Sequence, residues 1–437
     1  MRIGTGMSAA LAALVVTTAV TTVEAAQRTL TIDDAVALAL KTNPRLAAAR
    51  ARAESADALA SSAGRRMLPS IHLSDEAQYW NAPFNVSFGA MPFTVRKQET
   101  NTFTAAAAQP LLGLLRANDE RETLAEQSAA ERADIAASEA DLRANVETQF
   151  LRVFEAQALE QIAAASVRDL SEQVTVAKAR LASGVITNAD LLRIQVAVAN
   201  AEQQALEARS QQQTSRAQLF AAIGLGPADA AELTLVEPSE RLNKARTAAA
   251  PGTLQMLLPE ATQRRPELAA QGHLVTAAER QRSARGFALL PDIDLEAAYI
   301  RTDGQVFAPP NSAFVGVKAN WAIWEWGASE LQRKAAAIQA EAAARDRDAL
   351  ARQIEAELTA SLAQGDAARG AVGSAEKAVA SAEEAYRVTD AAVKAGTQTT
   401  TDLLQSQAEL TQARLNLTRA QYEMVLSDVA LARATGK

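Results

Sequence analysis

Catalysis and metal binding need reactive groups that converge, and this chain offers few. Histidine occurs twice in its 437 residues, at His72 and His273, and cysteine not at all. Thiolate nucleophiles, disulfides, thiolate metal sites and a lipidated N-terminal Cys are therefore ruled out, and a multi-His metal site nearly so. The adjacent acids Asp33-Asp34 and Glu383-Glu384 could be imagined as acid–base pairs, but neighbouring carboxylates on a helix are ordinarily solvated surface. A glycine-rich phosphate loop, a Gly-x-Ser-x-Gly elbow, a His-Glu-x-x-His pair and an acidic calcium loop are all missing. The expectation is a protein that is not an enzyme and has no catalytic residues, metal or cofactor. Lys and Arg number 44 against 51 Asp and Glu, a net charge of −7, which argues against a nucleic-acid partner because phosphate binding needs a basic surface.

Hydrophobic residues make up 48% of the chain and aromatics only 4%, so Ala, Leu and Val supply most of the apolar content, as in long helices. Residues 3–23 carry no charge, follow Arg2 and exit through Val23-Glu24-Ala25, which predicts a signal peptide over 1–25, cleaved after Ala25. No later run of 18 uncharged apolar residues exists. The mature chain is then periplasmic, secreted, or set in an outer membrane through β-strands.

The remainder is written twice. Gly184, Asp190-Leu191-Leu192 and Gln195 recur 212 residues later as Gly396, Asp402-Leu403-Leu404 and Gln407. Asn43-Pro44-Arg45-Leu46 with Pro69 and Ile71 recur 222 residues later as Arg265-Pro266-Glu267-Leu268 with Pro291 and Ile293. A unit this long implies an internal pseudo-two-fold rather than a repeat array. The repeats are expected over 26–223 and 253–437. Residues 224–252, rich in Gly and Pro, should form a surface linker with short elements.

Within each unit a helix opens at Pro44 or Pro266, and Pro69 or Pro291 stops it. The period then changes to two. Ile71, Leu73, Ala77 and Tyr79 alternate with His72, Ser74, Glu76 and Gln78, and Ile293, Leu295, Ala297 and Tyr299 with Asp292, Asp294 and Glu296. Return strands follow, weakly patterned at 101–112 and clear where Val315, Val317, Ala319, Trp321 and Ile323 alternate with Gly316, Lys318 and Asn320. Strands are expected at about 70–81, 101–112, 292–301 and 313–324, long enough to cross a bilayer when tilted. Of the 18 aromatics, 13 lie in 71–112 and 287–326, including all four Trp. Tyr79, Trp80, Tyr299, Trp321, Trp324 and Trp326 are the candidate membrane-interface aromatics, since amphipathic rings prefer the headgroup level.

Long helices should follow at about 114–182 and 328–395, each reaching roughly 100 Å. After breaks at Gly184 and Gly396, returning helices are expected at 188–223 and 401–434. These are too short to line the long helices alone, so the short helix before each hairpin could stack end to end with the returning one. Four strands cannot close a membrane barrel, and open edges in lipid are not tolerated, so chains must associate. Two copies would give eight strands and three would give twelve. A soluble periplasmic coiled-coil scaffold or adaptor is the alternative reading of the same helices.

In this order of elements, with the Asn43-Pro44 and Arg265-Pro266 starts and the Gly184–Leu192 and Gly396–Leu404 segments, the chain resembles the TolC-type outer-membrane efflux proteins. The resemblance implies a mainly α fold with membrane β-strands. It implies a homotrimer whose 12-stranded barrel in the outer membrane continues as a periplasmic helical barrel. It further implies an exit duct for a tripartite efflux pump or type I secretion system, working with a periplasmic adaptor and an inner-membrane transporter and surrounded by outer-membrane lipid. By the same resemblance Gly184, Asp190, Arg193, Gly396, Gln398, Asp402 and Gln405 lie at the periplasmic tips, where the family meets its adaptor and constricts the pore. Asp190 and Asp402 match the family's acids there, whereas Arg193, Val393, Gln398 and Gln405 depart from the best-known members. Helix N-terminal acids favoured by the macrodipole are the other reading of Asp190 and Asp402.

Overall fold

A computed structural model describes residues 28–89, 91–227, 233–247 and 252–437. The expected signal peptide and parts of the 224–252 segment lie outside the described residues.

The chain opens with β1 (Arg28–Leu30) and α1 (Ile32–Thr42), whose N-terminus is a capping box between Thr31 and Asp34. Asn43 ends α1 and caps α2 (Pro44–Arg65), its Oδ1 accepting from the Arg45 N–H at 2.9 Å. The first sheet segment is β2 (Ser70–Tyr79), β3 (Phe84–Phe88) and β4 (Met91–Pro110). A helical hairpin follows, α3 (Gly113–Ala182) and α4 (Asn188–Ile223). The connecting segment holds β5 (Leu233–Leu235) and α5 (Ser239–Thr247). The second half repeats the order with α6 (Leu254–Arg264), α7 (Pro266–Phe287), β6 (Asp292–Gln305), β7 (Asn311–Asn320), α8 (Ala328–Lys394) and α9 (Thr400–Ala434).

One antiparallel sheet runs in the order β2-β4-β6-β7, with β3 paired to the far end of β4. Two strands differ from the sequence reading. β4 begins at Met91 rather than near 101, because β3, an element the weak alternation did not reveal, supplies the partner for its first residues. β7 ends at Asn320 rather than 324, because its partner β6 begins at Asp292, opposite Asn320, directly after Pro291, which has no N–H to donate. Trp321, Ile323 and Trp324 therefore lie beyond the ladder. Where β4 and β6 meet, the register slips between Arg96 and Asn101, and Gly304 (φ +88°) lies at the slip. A Cβ there would collide with the Glu99 carbonyl, so the bulge requires glycine.

The 70 residues of α3 span about 105 Å, whereas α2 and α4, of 22 and 36 residues, span about 33 and 54 Å. Both pack on α3, end to end. Their junction is tied by Thr42 Oγ1 donating to the Ile223 carbonyl at 2.8 Å and Asn43 Nδ2 donating to the Ala222 carbonyl at 2.9 Å. The second half uses different chemistry at the same place. Arg265, 6% exposed, offers no helix cap but donates to Glu357 at 2.8 Å and to the Ala434 carbonyl at 3.3 Å, joining α7 to the end of α9.

The main core sits at the waist of the long helices. Val146, Phe150 and Leu151 of α3, Leu219 and Ile223 of α4 and Ala35 and Ala39 of α1 are fully buried. β1 and β5 pair in parallel beside them, so the connecting segment is pinned to the start of the chain. Phe150→Ala removes a fully buried ring packed 5.3 Å from Phe154. It should cost about 3–5 kcal/mol, read as a lowered denaturant midpoint with unchanged slope.

Candidate functional site

At the end of α3 the chain turns through Gly184 (φ +74°), with the Val185 N–H bonding back to the Arg180 carbonyl and the Gly184 N–H to that of Leu181. This is a Schellman ending, and the second hairpin repeats it at Gly396 (φ +77°). Each turn feeds a capping box. Asp190 accepts from the Thr187 N–H at 3.0 Å and its hydroxyl at 2.7 Å, and Asp402 accepts from Thr399 at 2.9 and 2.7 Å. These hydrogen bonds hold both carboxyls below the ordinary Asp range. Arg193 lies 3.4 Å from Asp190 and donates to the Thr401 hydroxyl at 3.5 Å, which links the two tips. Gln398 is exposed, and Gln405 is engaged with Glu409 on its own helix.

Further up, a contact between the hairpins appears that the sequence reading missed. Gln173 of α3 donates to Gln407 of α9 at 2.5 Å and to the Tyr386 hydroxyl at 3.4 Å, beside a cleft of about 250 Å³. Burial pushes the Tyr386 hydroxyl above its ordinary value, and Asp390 adds to the shift. Gln407 stood out only as an anchor of the duplication, and no spacing signal marked Tyr386 or Gln173.

At the opposite end the register puts Ile71, Ala107, Ala297 and Val315 in one row of one face, and Leu73, Ala105, Tyr299 and Ala313 in the next. Ile71 is 77% exposed and Val315 76%. Leu73, Leu295 and Val317 extend the same open apolar face, larger than a soluble surface tolerates. The other face carries His72, Glu76, Asp294, Glu296 and Lys318. Tyr79 and Tyr299 belong to the apolar face, away from the helices, their hydroxyls bonded to Gln98 and Asn311 at 2.8 Å. Trp321, Trp324 and Trp326 are exposed at the helix end, where Trp326 (φ 54°) and Gly327 turn the chain into α8. Trp80 goes elsewhere. Its indole donates to Thr100 on the polar face at 3.1 Å under the Arg96 guanidinium, 3.5 Å from the ring centre, so it braces the bulge.

The sequence pattern of the outer membrane efflux proteins matches residues 35–225 and 257–437. The chain belongs to that family. Its place is accordingly the outer membrane, with a large periplasmic helical portion, and its class is that of transport proteins. A search among curated proteins gives no match. Solved structures share the fold. The outer membrane protein VceC of Vibrio cholerae is 20% identical, with 93% of this chain and 96% of that one covered and a TM-score of 0.79. A membrane protein of Pseudomonas aeruginosa is 18% identical, with 93% and 92% covered and a TM-score of 0.81. The CmeC outer membrane channel of Campylobacter jejuni is 15% identical, with 93% and 85% covered and a TM-score of 0.78. Among the described residues no helix is long and apolar enough to cross a membrane. No group of three His, Asp or Glu among them could hold a metal.

Because both tip carboxyls titrate below the ordinary Asp value, the order they impose on the first turns of α4 and α9 is complete above that value. It is lost as pH falls through the lowered one. Asp190→Asn and Asp402→Asn should therefore speed amide exchange in those first turns at neutral pH, while the wild-type protein shows the same acceleration only in strong acid. Hydrogen–deuterium exchange of peptides covering 184–195 and 396–407 checks this.

Proposed function

We propose that the chain is the exit duct of a tripartite efflux or type I secretion system, conducting its cargo passively across the outer membrane. The observation that carries the reading is a sheet whose path of four long strands, β2-β4-β6-β7, has one apolar face and, among the described residues, two unpaired edges, β2 and β7. Lipid cannot satisfy those edges, and pairing β7 of one copy with β2 of the next satisfies both. Three copies give a 12-stranded barrel, wide enough for a channel, whereas eight strands would be filled by side chains. The face bearing Glu76, Asp294, Glu296 and Lys318 then lines the lumen.

Long helices leaving the sheet from each half extend the channel into the periplasm. Gly184, Asp190, Arg193, Gly396, Gln398, Asp402 and Gln405 form its tips, where a periplasmic adaptor docks and an inner-membrane transporter supplies the energy. Asp190 and Asp402 act first as helix caps there, and Arg193 offsets the charge of Asp190, so strong cation selectivity at the tip is not expected. Tyr79, Tyr299, Trp321, Trp324 and Trp326 serve as the membrane-interface aromatics. Trp80, packed under Arg96, does not. A periplasmic scaffold would leave Ile71, Leu73, Val315 and Val317 in water without a reason.

The molar mass of the membrane-extracted protein, measured by light scattering with detergent subtracted, should be three times that of the mature chain. Val317→Arg places a charge in the apolar band and should destabilise the inserted state by about 2–4 kcal/mol per site, seen as loss of the oligomer from the outer-membrane fraction. A monomer in the detergent-free soluble fraction, indifferent to Val317→Arg, would sink the duct reading.

A further inference from the structure

The last turns of α2 and α7, directly before the strands, carry charges that the helical packing does not use. Arg65 and Arg66 end α2, and Arg282 and Arg285 lie in the last two turns of α7. All four are exposed and make no ion pair or side-chain hydrogen bond among the described residues. Their neighbours at the same level behave differently. Asp292 and Glu120 are both held by Arg116, at 3.4 and 3.7 Å, and Glu330 by Arg333 at 2.8 Å. Asp292, Glu120 and Glu330 are thus neutralised within the chain, whereas among the described residues the Glu325 carboxylate accepts only from the Ser329 hydroxyl and these four guanidiniums have no partner.

Two further features stand with them. Arg65 and Arg66 line an open cleft of about 480 Å³ together with Ser61, Ser62 and Ala58, which joins two hydroxyl donors to two guanidiniums. The chain between arginines and strands is apolar and exposed, through Leu68 in the first half and Leu289 and Leu290 in the second, and Trp321 donates to the Leu289 carbonyl at 3.3 Å. Apolar side chains and tryptophan next to the band, with unpaired arginines one step further from it, follow the polarity gradient from acyl chain to headgroup. Arg66 precedes the first strand residue by four positions and Arg285 precedes Asp292 by seven.

We propose that Arg65, Arg66, Arg282 and Arg285 form a belt that binds the phosphate-bearing headgroups of anionic phospholipid on the periplasmic side of the outer membrane, the Ser61–Arg66 cleft taking one headgroup. The inference rests on the membrane placement of the sheet. Guanidinium is the group for this task, because its planar donors meet phosphate oxygens in pairs and its charge is weakly hydrated. Two arginines close to one headgroup should favour a phosphatidylglycerol over a phosphatidylcholine by roughly tenfold.

The tryptophans provide the readout. Three of the four lie exposed at the sheet's helix end, and Trp80 on the polar face gives a constant background. The full-length protein is reconstituted in bilayers containing phosphatidylglycerol or phosphatidylcholine with brominated chains, and the relative binding constant is taken from competitive quenching of tryptophan fluorescence. In the wild type brominated phosphatidylglycerol should compete roughly tenfold better, and in the R65Q/R66Q/R282Q/R285Q variant the preference should vanish while quenching by phosphatidylcholine persists. Equal quenching by the two lipids in the wild type, or a preference surviving all four substitutions, overturns the belt and leaves the duct untouched. Absence of quenching by either lipid overturns the membrane placement itself.

Discussion

Everything above the periplasmic helices depends on the fact that a backbone N–H or C=O in hydrocarbon has no water to turn to. The path of four long strands leaves two rows of such groups, on β2 and on β7, and an apolar face that water will not cover. In the proposed duct, association of chains through the edges answers the first problem and lipid answers the second. The helices inherit this arrangement, because α2 and α7 enter the sheet and α3 and α8 leave it. In the proposed duct, their order around the barrel follows the order of the strands. The bulge at Gly304, with Trp80 clamped between Thr100 and Arg96, marks where β4 outgrows the common ladder.

Long helices of small residues present the opposite difficulty. Alanine-rich faces permit close approach but bury little area each, so a helix of 70 residues needs a continuous partner along its length. The chain meets this with two shorter helices laid end to end, and the joint is the weak point. Asn43 and Arg265 hold equivalent joints by different means, an amide cap reaching a carbonyl in one half and a buried guanidinium between Glu357 and the Ala434 carbonyl in the other. The buried aromatic and large aliphatic side chains are concentrated at that level, where α1, β1, β5 and α5 wrap the helices.

At the far end, charge and local structure compete for the same residues. In the proposed duct Asp190 and Asp402 are the tip acids, yet each carboxylate is committed to the threonine three residues before it. A capping acid is ionised and anchored, so it contributes a fixed local charge rather than a mobile one. Arg193 compensates one of the two and reaches across to the other hairpin through Thr401. Gln173, Gln407 and Tyr386 add neutral contacts between the hairpins above it. The tips are thus held together by hydrogen bonds and by a small apolar cluster of Ala177, Leu191 and Ile194 with Leu404 of the other hairpin.

Much of this architecture is local and was legible without coordinates. Proline, glycine and a switch in hydrophobic period mark where helices stop and strands begin, because backbone dihedrals and the alternation of faces are properties of a few adjacent residues. The duplication, the helix N-terminal acids Asp190 and Asp402, and the apolar face of β2, β6 and β7 are of this kind, whereas the cap of α4 is Thr187, a residue that no spacing singled out. β3 was not legible, because five residues with mixed pattern become a strand only when β4 is there to pair with. The end of β7 at Asn320 was set by Pro291, just before its partner β6, and the fate of Trp80 by Arg96 and Thr100 across a bulge. The contact of Gln173 with Gln407, the burial of Arg265 and the unpaired state of Arg65, Arg66, Arg282 and Arg285 all depend on which distant groups arrive beside them. Sequence determined the elements and the chemistry on each face. Tertiary structure alone decided which polar groups found partners, because a hydrogen bond or an ion pair between residues far apart in the chain exists only after the chain has folded.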